Sequence, residues 1–325
     1  MTALLSVRGL RIRLPTASGL VTVVDGIDYD VEMGEVVGIA GESGSGKTIS
    51  VLALLDLLPA GAVVEGSAQF EGHDILRLGR RAMRDIRGQM IGMVFQDPMT
   101  SLHPMLTIGR QLTEHMRFHL GISAGAARSR AVELLDDVRI PDAVGALGAY
   151  PHQFSGGMRQ RIAIAIALAC GPRILIADEP TTALDVTVQA GILRLLDGLR
   201  RQSRLSVVMI THDLGVMSSI ADWLNVMYAG RIVESGPTPS ILGAPRHPYT
   251  AGLLAALPHP EAPDDTTLVS IKGAPPSPQA RPSGCPFHPR CTYALPACAT
   301  NVPDLVFIAD ERRLACPVDP LLVPA

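Results

Sequence analysis

Gly41-Glu42-Ser43-Gly44-Ser45-Gly46-Lys47-Thr48 fits the pattern G-x4-G-K-[ST]. Its glycines let successive backbone N–H groups turn into one concavity, a geometry that cradles a polyphosphate. Just before it, Val36–Ala40 is a short apolar run, and a helical pattern follows through Leu58. The loop is therefore expected between a strand and a helix, with the positive end of the helix dipole added to the cradle. Lys47 is placed to reach the β and γ oxygens of a nucleotide, and Thr48 to give its hydroxyl to Mg2+. Gly41 to Thr48 thus form the candidate phosphate-binding set. A phosphate loop alone does not separate kinases, GTPases, motors and transporters.

Downstream, Arg173-Ile174-Leu175-Ile176-Ala177-Asp178-Glu179 is an apolar strand ending in two carboxylates. Asp178 suits a Mg2+ shell, and Glu179 suits the polarisation of an attacking water. Similar buried-strand runs occur at Ile91–Phe95 and Val207–Ile210, each bounded by helical stretches or turns. Strands alternating with helices predict an α/β fold with parallel pairing. Between Thr107 and Val138 there are two helical patterns and no convincing strand, which reads as a helical insertion.

Phe154-Ser155-Gly156-Gly157-Met158-Arg159-Gln160-Arg161 precedes an apolar helical pattern over Ile162–Ala169. Ser155, Gly156 and Gly157 put a hydroxyl and backbone donors at a helix N-terminus, where a γ-phosphate could sit. The segment resembles the LSGGQ signature of the ABC ATPase family, with Phe154 for Leu and Met158 for Gln. Other pieces stand in the family's order: Gln96 in Val94-Phe95-Gln96-Asp97-Pro98, then Ala183-Leu184-Asp185, then His212 in Ile210-Thr211-His212-Asp213.

The resemblance covers about residues 4–257. It implies an ABC-type P-loop ATPase domain over 1–257: a mixed sheet core, an antiparallel β subdomain and a helical subdomain at about 100–170. It also implies a head-to-tail pair of subunits, each ATP lying between one subunit's Walker motifs and the other's signature. In that arrangement Lys47 and His212 hold the γ-phosphate, Glu179 is the general base, and Asp185 crosses the seam. Mg2+ is met by Thr48, Gln96 and Asp178, and Gln96 relays nucleotide state to the helical insertion, which receives a coupling helix from a membrane subunit. One departure stands out. The family usually stacks adenine on an aromatic in the loop that here reads Thr16-Ala17-Ser18-Gly19-Leu20, with Tyr29 expected inside a strand instead. Loose base selectivity follows, since such stacking contributes roughly 1–3 kcal/mol in single-stranded nucleic-acid sites.

From Pro258 the composition changes: residues 258–325 hold 14 of the 26 prolines and four of the five cysteines. So proline-rich a tail is not expected to build a core of its own, and something other than packing should hold it. Cys285, Cys291, Cys298 and Cys316 are spaced C-x5-C-x6-C-x17-C. Two disulfides, unrelated thiols, a structural Zn2+ and an iron–sulfur cluster are the alternatives. A cytosolic chain disfavours disulfides, the wide spacing disfavours zinc, and Cys285-Pro286 and Cys316-Pro317 resemble the ferredoxin Cys-Pro arrangement. A [4Fe-4S] cluster on the four thiolates, serving as a structural staple, is the preferred expectation. Cys170, at the end of an apolar helix, reads as a core residue. Arg246-His247-Pro248-Tyr249-Thr250 and Gly284-Cys285-Pro286-Phe287-His288-Pro289-Arg290-Cys291 resemble the C-terminal region of oligopeptide/dipeptide and nickel importer ATPases. The Phe-Ser-Gly-Gly-Met signature resembles the "D" member of their heteromeric pair.

Bulk composition fits this reading. Of 325 residues, 47% are hydrophobic and 18% charged, and the net charge of −3 comes without blocks of one sign. That argues against disorder and against a nucleic-acid-binding protein. No apolar stretch approaches a membrane span; Ile162–Cys170, the best, is nine residues long. The chain is expected on the cytoplasmic face of the plasma membrane. Its expected partners are a second, non-identical ATPase subunit, two permease subunits and, through them, an extracytoplasmic binding protein. The implied function is ATP-driven peptide uptake. Import of nickel or another small solute is the alternative, with a soluble ABC ATPase of DNA repair or translation further behind.

Overall fold

The computed structural model describes residues 3–97, 101–182, 184–257 and 270–318. The chain divides into two compact units, one of residues 1–31, 36–76 and 211–325, the other of 32–35 and 77–210.

The first unit opens with a long hairpin, β1 (Leu5–Thr16) and β2 (Gly19–Val31), turned by Thr16 and Gly19. Leu5, Val7, Leu10 and Ile12 of β1 are fully buried, although the register shifts between Val7 and Leu10. β4 (Val63–Phe70) pairs on the free side of β1, and β5 (His73–Asp74) closes an antiparallel sheet in the order β2-β1-β4-β5. Tyr29 lies within β2 opposite Val7 and is buried, as its strand position predicts.

A second group of strands in this unit starts from β3 (Val36–Ala40), buried at every residue. β3 runs parallel to β9 (Trp223–Tyr228), and β9 runs antiparallel to β10 (Arg231–Pro237). The phosphate loop leads from β3 into helix α1 (Lys47–Leu54). That helix stops short of the expected Leu58, because Asp56 adopts a left-handed φ of 50°.

The second unit carries β6 (Ile91–Val94), β7 (Ile174–Asp178) and β8 (Ser206–Thr211), with β6 parallel to β7 and β7 parallel to β8. These are the three buried runs read from the sequence. Between β6 and β7 lie α3 (Ile108–Leu120), capped by Thr107, and α4 (Ala124–Asp137), capped by Ser123. They are the predicted helical insertion; α2 (Arg80–Ile86), the short α5 (Ala143–Ala146) and α6 (Gly156–Leu168) flank it. Parallel and antiparallel pairing with interleaved helices makes the fold α/β with a mixed sheet. Among the described residues, no helix is long and apolar enough to cross a membrane.

The proline-rich tail groups with the first unit. β12 (Arg313–Leu314) pairs with β10 through Glu234↔Leu314 and Ser235↔Arg313, and β11 (Val306–Phe307) pairs with β12. Beside that seam Glu234 is completely buried and forms an ion pair with Arg312, itself 5% exposed. Glu234 also accepts from the Arg246 and His247 N–H groups at 2.9 and 3.0 Å, while Arg312 donates to the carbonyls of Ser240 and Ala244. A buried, hydrogen-bonded ion pair resists removal of one partner more than removal of both. Arg312→Met should therefore destabilise the protein by about 3–5 kcal/mol in urea unfolding, and Glu234→Gln in the same chain should restore much of the loss.

Candidate functional site

In the first unit the phosphate loop has the backbone that its glycines permit. Gly41, Gly44 and Gly46 have φ of 148°, 78° and 102°. A Cβ on Gly41 would stand 2.1 Å from the Met227 carbonyl oxygen, so only glycine fits against β9. Gly230 N–H donates to the Ser45 carbonyl at 2.8 Å and fixes the loop from the β9–β10 turn. Gly46 caps α1 without a side-chain acceptor, leaving first-turn N–H groups for a ligand. Ser45 is buried, and its hydroxyl has no hydrogen-bond partner among the described residues. An orphan hydroxyl beside an open helix N-terminus fits an anionic ligand. Lys47 is buried and folds back, its Nζ donating to Gly41 O at 2.7 Å and Glu42 O at 3.0 Å. Thr48 follows it as the second residue of α1.

His212 also belongs to this unit, exposed in the turn after β8. Asp213 beside it starts α8 (Leu214–Ile220) by accepting from Gly215 and Val216 N–H.

In the second unit the carboxylate pair ends β7 as expected. Asp178 is 3% exposed. Glu179 takes a left-handed φ of 47°, a conformation that costs a non-glycine residue about 1–2 kcal/mol. Its N–H donates to Ile210 O at 2.9 Å. Glu179 Oε2 accepts from Gln96 Nε2 at 3.0 Å and from Thr182 Oγ1 at 2.9 Å. Gln96 and Glu179, both picked out in the sequence, are thus brought together. Thr182 was missed, although a hydroxyl three residues past a candidate base is a readable signal.

Ser155 caps α6, its Oγ accepting from Met158 N at 3.4 Å, and Gly156 and Gly157 begin the helix. Asp185 is the N-cap of α7 (Val186–Ser203), accepting from Val188 N at 2.9 Å. Ser155, Gly156 and Asp185 are solvent-exposed. Pro98 and Ala183, quoted in the motifs, lie outside the described residues.

In the tail, Cys285, Cys291, Cys298 and Cys316 line one pocket together with His247 and Phe287. All four are free thiols. Burial raises Cys285 and Cys291 and pushes Cys316 up to about 12. His247 also lines the pocket; burial takes it down to about 3 and keeps the ring neutral. The iron–sulfur expectation gains no direct support from this geometry. Among the described residues, no group of three or more His, Cys, Asp or Glu side chains is arranged to hold a metal ion. The shared pocket is the part of the expectation that the structure does carry. Cys170 is buried at the end of α6, where burial lifts it to about 11, as for a core thiol.

Comparison with known proteins places these features. Residues 24–182 match the family model described as ABC transporter, and residues 233–298 match the C-terminal region of oligopeptide/dipeptide transporters. The oligopeptide transport ATP-binding protein OppD of Haemophilus influenzae is 48% identical over 92% of both chains. The chain belongs to the ATP-binding proteins of ABC transporters, in the oligopeptide/dipeptide branch. The dipeptide transport ATP-binding protein DppD of Escherichia coli is 47% identical over 97% of this chain and 96% of its own. Among solved structures, a dimeric bacterial ABC transporter cassette matches with a TM-score of 0.65 and 28% identity, covering 72% of this chain and 98% of that one. This family member is accordingly an ABC-type ATPase, with ATP and Mg2+ as its ligands. Mg2+ needs no cage of protein ligands, since it is usually held by a few side chains plus substrate phosphates.

The hairpin turn at 16–19 offers no aromatic ring, and Tyr29 is buried in β2. GTP should therefore be hydrolysed within several-fold of the ATP rate, because a stacking contact of about 1–3 kcal/mol is missing for the base. Side-by-side phosphate-release assays check this, and a strong ATP preference contradicts it.

Proposed function

We propose that this ATPase drives peptide import across the cytoplasmic membrane as one of two non-identical ATP-binding subunits. They would dock on two permease subunits that receive cargo from an extracytoplasmic binding protein. The oligopeptide-type C-terminal region beside a full ABC motif series supports that reading over a soluble ABC ATPase of repair or translation. Relatives named for oligopeptide and for dipeptide transport match about equally, so peptides as a class are the proposed cargo, with nickel or another small solute the alternative.

The observation that carries the chemistry is the Glu179 carboxylate, held by Gln96 and Thr182 at the end of β7. We assign Glu179 as the base that orients and deprotonates the attacking water. Gly41 to Thr48 hold the phosphates through backbone N–H groups, the Ser45 hydroxyl and Lys47. Thr48, Gln96 and Asp178 would hold Mg2+, which would supply positive charge against the nucleotide phosphates. His212 positions the γ-phosphate and water. Ser155, Gly156 and Gly157 present their helix N-terminus to the nucleotide of the opposite subunit, and Asp185 meets the seam. Glu179→Gln should lower kcat at least about 100-fold in the assembled transporter while MgATP binding persists. A variant within tenfold of wild type would remove Glu179 from the base role.

A second reading rests on the shared pocket of Cys285, Cys291, Cys298 and Cys316. The four thiols are proposed to hold an iron–sulfur cluster, in preference to zinc, as a staple for the tail. Protein purified without oxygen should then show a broad visible absorption and about four iron atoms per chain. Colourless, iron-free protein with an intact tail would reject it.

A further inference from the structure

The phosphate loop contains one acidic side chain, Glu42. A carboxylate within a cradle for a polyanion opposes the ligand unless a fixed cation cancels its charge. The structure supplies that cation from far along the chain. Arg290 donates through Nη1 to Glu42 Oε2 at 2.7 Å and through Nη2 to Oε1 at 3.0 Å, a bidentate fork. The Arg290 side chain is 5% exposed and that of Glu42 26%, so solvent and salt screen the pair weakly.

Arg290 is itself held in place. Its Nε donates to Lys272 O at 3.0 Å, and its guanidinium lies 5.8 Å from the Tyr228 ring centroid and 6.0 Å from that of Phe287. A second group restrains the same loop residue: Glu42 N–H donates to the Tyr249 hydroxyl at 2.8 Å. Tyr249 is completely buried against Tyr228 and Phe287. Side chain and backbone of Glu42 are therefore each tied from outside the loop, while its carbonyl receives Lys47.

We propose that Arg290 and Tyr249 are positioning residues for nucleotide binding. They fix Glu42, and Arg290 cancels its charge so that the loop accepts a nucleotide polyphosphate. Arg290 stands between Cys285 and Cys291, so the segment that lines the thiol pocket also sets the charge of the phosphate loop. The proposal rests on the ATPase reading above and adds two residues to it that lie outside the ABC motif series.

The test is MgADP binding by calorimetry to the full chain, with KM and kcat for ATP in the assembled transporter. Arg290→Met should raise Kd and KM about tenfold, the middle of the range for residues in one salt-bridged network, with kcat changed less than about twofold. Adding Glu42→Gln should bring Kd back to within about threefold of wild type, because the uncompensated charge is then gone. Arg290→Lys, which keeps the charge and loses the fork, should raise Kd by less than Arg290→Met does. Tyr249→Phe should raise Kd roughly threefold, the loss of one hydrogen bond, and Glu42→Gln should not repair it. If Arg290→Met does not fold, Arg290→Gln carries the same expectations. Arginine variants with unmoved Kd, or a double variant as weak as the single one, overturn the proposal and leave Arg290 a fastener of the tail. A wild-type chain that binds neither MgADP nor MgATP overturns the ATPase reading together with it.

Discussion

A loop that offers its backbone N–H groups to an anion cannot also carry bulk, and the β9–β10 turn is arranged around that constraint. Gly41 passes so close to the Met227 carbonyl that no side chain fits, and Gly46 packs against Val23 and Gly230. The β9–β10 turn must therefore be rigid where it supports the loop. Gly230 N–H bonds Ser45 O, and Asp25 N–H bonds Gly230 O. Asp25 is anchored in turn by Arg11 and Arg231, at 2.8 and 2.9 Å. Burial alone would raise the Asp25 carboxyl, but hydrogen bonds from the two arginines outweigh it and hold the group below its usual range. An ionised Asp25 keeps both strands clamped beside the loop over the physiological range.

The tail reads differently in this light. A proline-rich segment contributes little core, yet it delivers arginines to two carboxylates of the same unit. Arg312 meets Glu234, which is wholly buried, and Arg290 meets Glu42 in the loop. Each pair is backed by hydrogen bonds to carbonyls or hydroxyls, which a buried ion pair needs if its desolvation is to be offset. Phe287 adds apolar contact against Tyr228 and Tyr249. The tail is thus fastened by charge complementarity, a two-residue strand and one aromatic cluster. A metal centre at the cysteines would add to this attachment.

The elements that repeat a local period were legible in the sequence. β3, β6, β7 and β8 are short apolar runs, and α3 and α4 each begin at a Thr or Ser cap, so residue type alone marks them. Long-range partners were not. Nothing local in Arg312 or Arg290 announces a carboxylate 78 or 248 residues away. The proline-rich composition suggested that something other than packing holds the tail, and two buried arginines and strand pairing are among its attachments. The acidic residue inside the phosphate loop was a signal of its own, since its charge opposes the ligand that the loop is built to bind. It calls for a cation nearby without naming which arginine provides it.

Glu179 shows a different limit of reading by residue type. A left-handed backbone is expected of Gly or Asn, and nothing in Asp-Glu-Pro predicts it. The conformation is held because Glu179 N–H reaches Ile210 O on the neighbouring strand while Gln96 and Thr182 hold the carboxylate. Three hydrogen bonds at a net ~1 kcal/mol each are enough to offset a left-handed strain of about 1–2 kcal/mol. The balance runs in one direction only. Loss of Gln96 or Thr182 removes support from the side chain while the backbone strain remains, so the carboxylate would be expected to wander before β7 itself is disturbed. In the role proposed for Glu179, a carboxylate fixed in this way would lose little entropy on meeting a water, so the strain would serve a group that must already be in place.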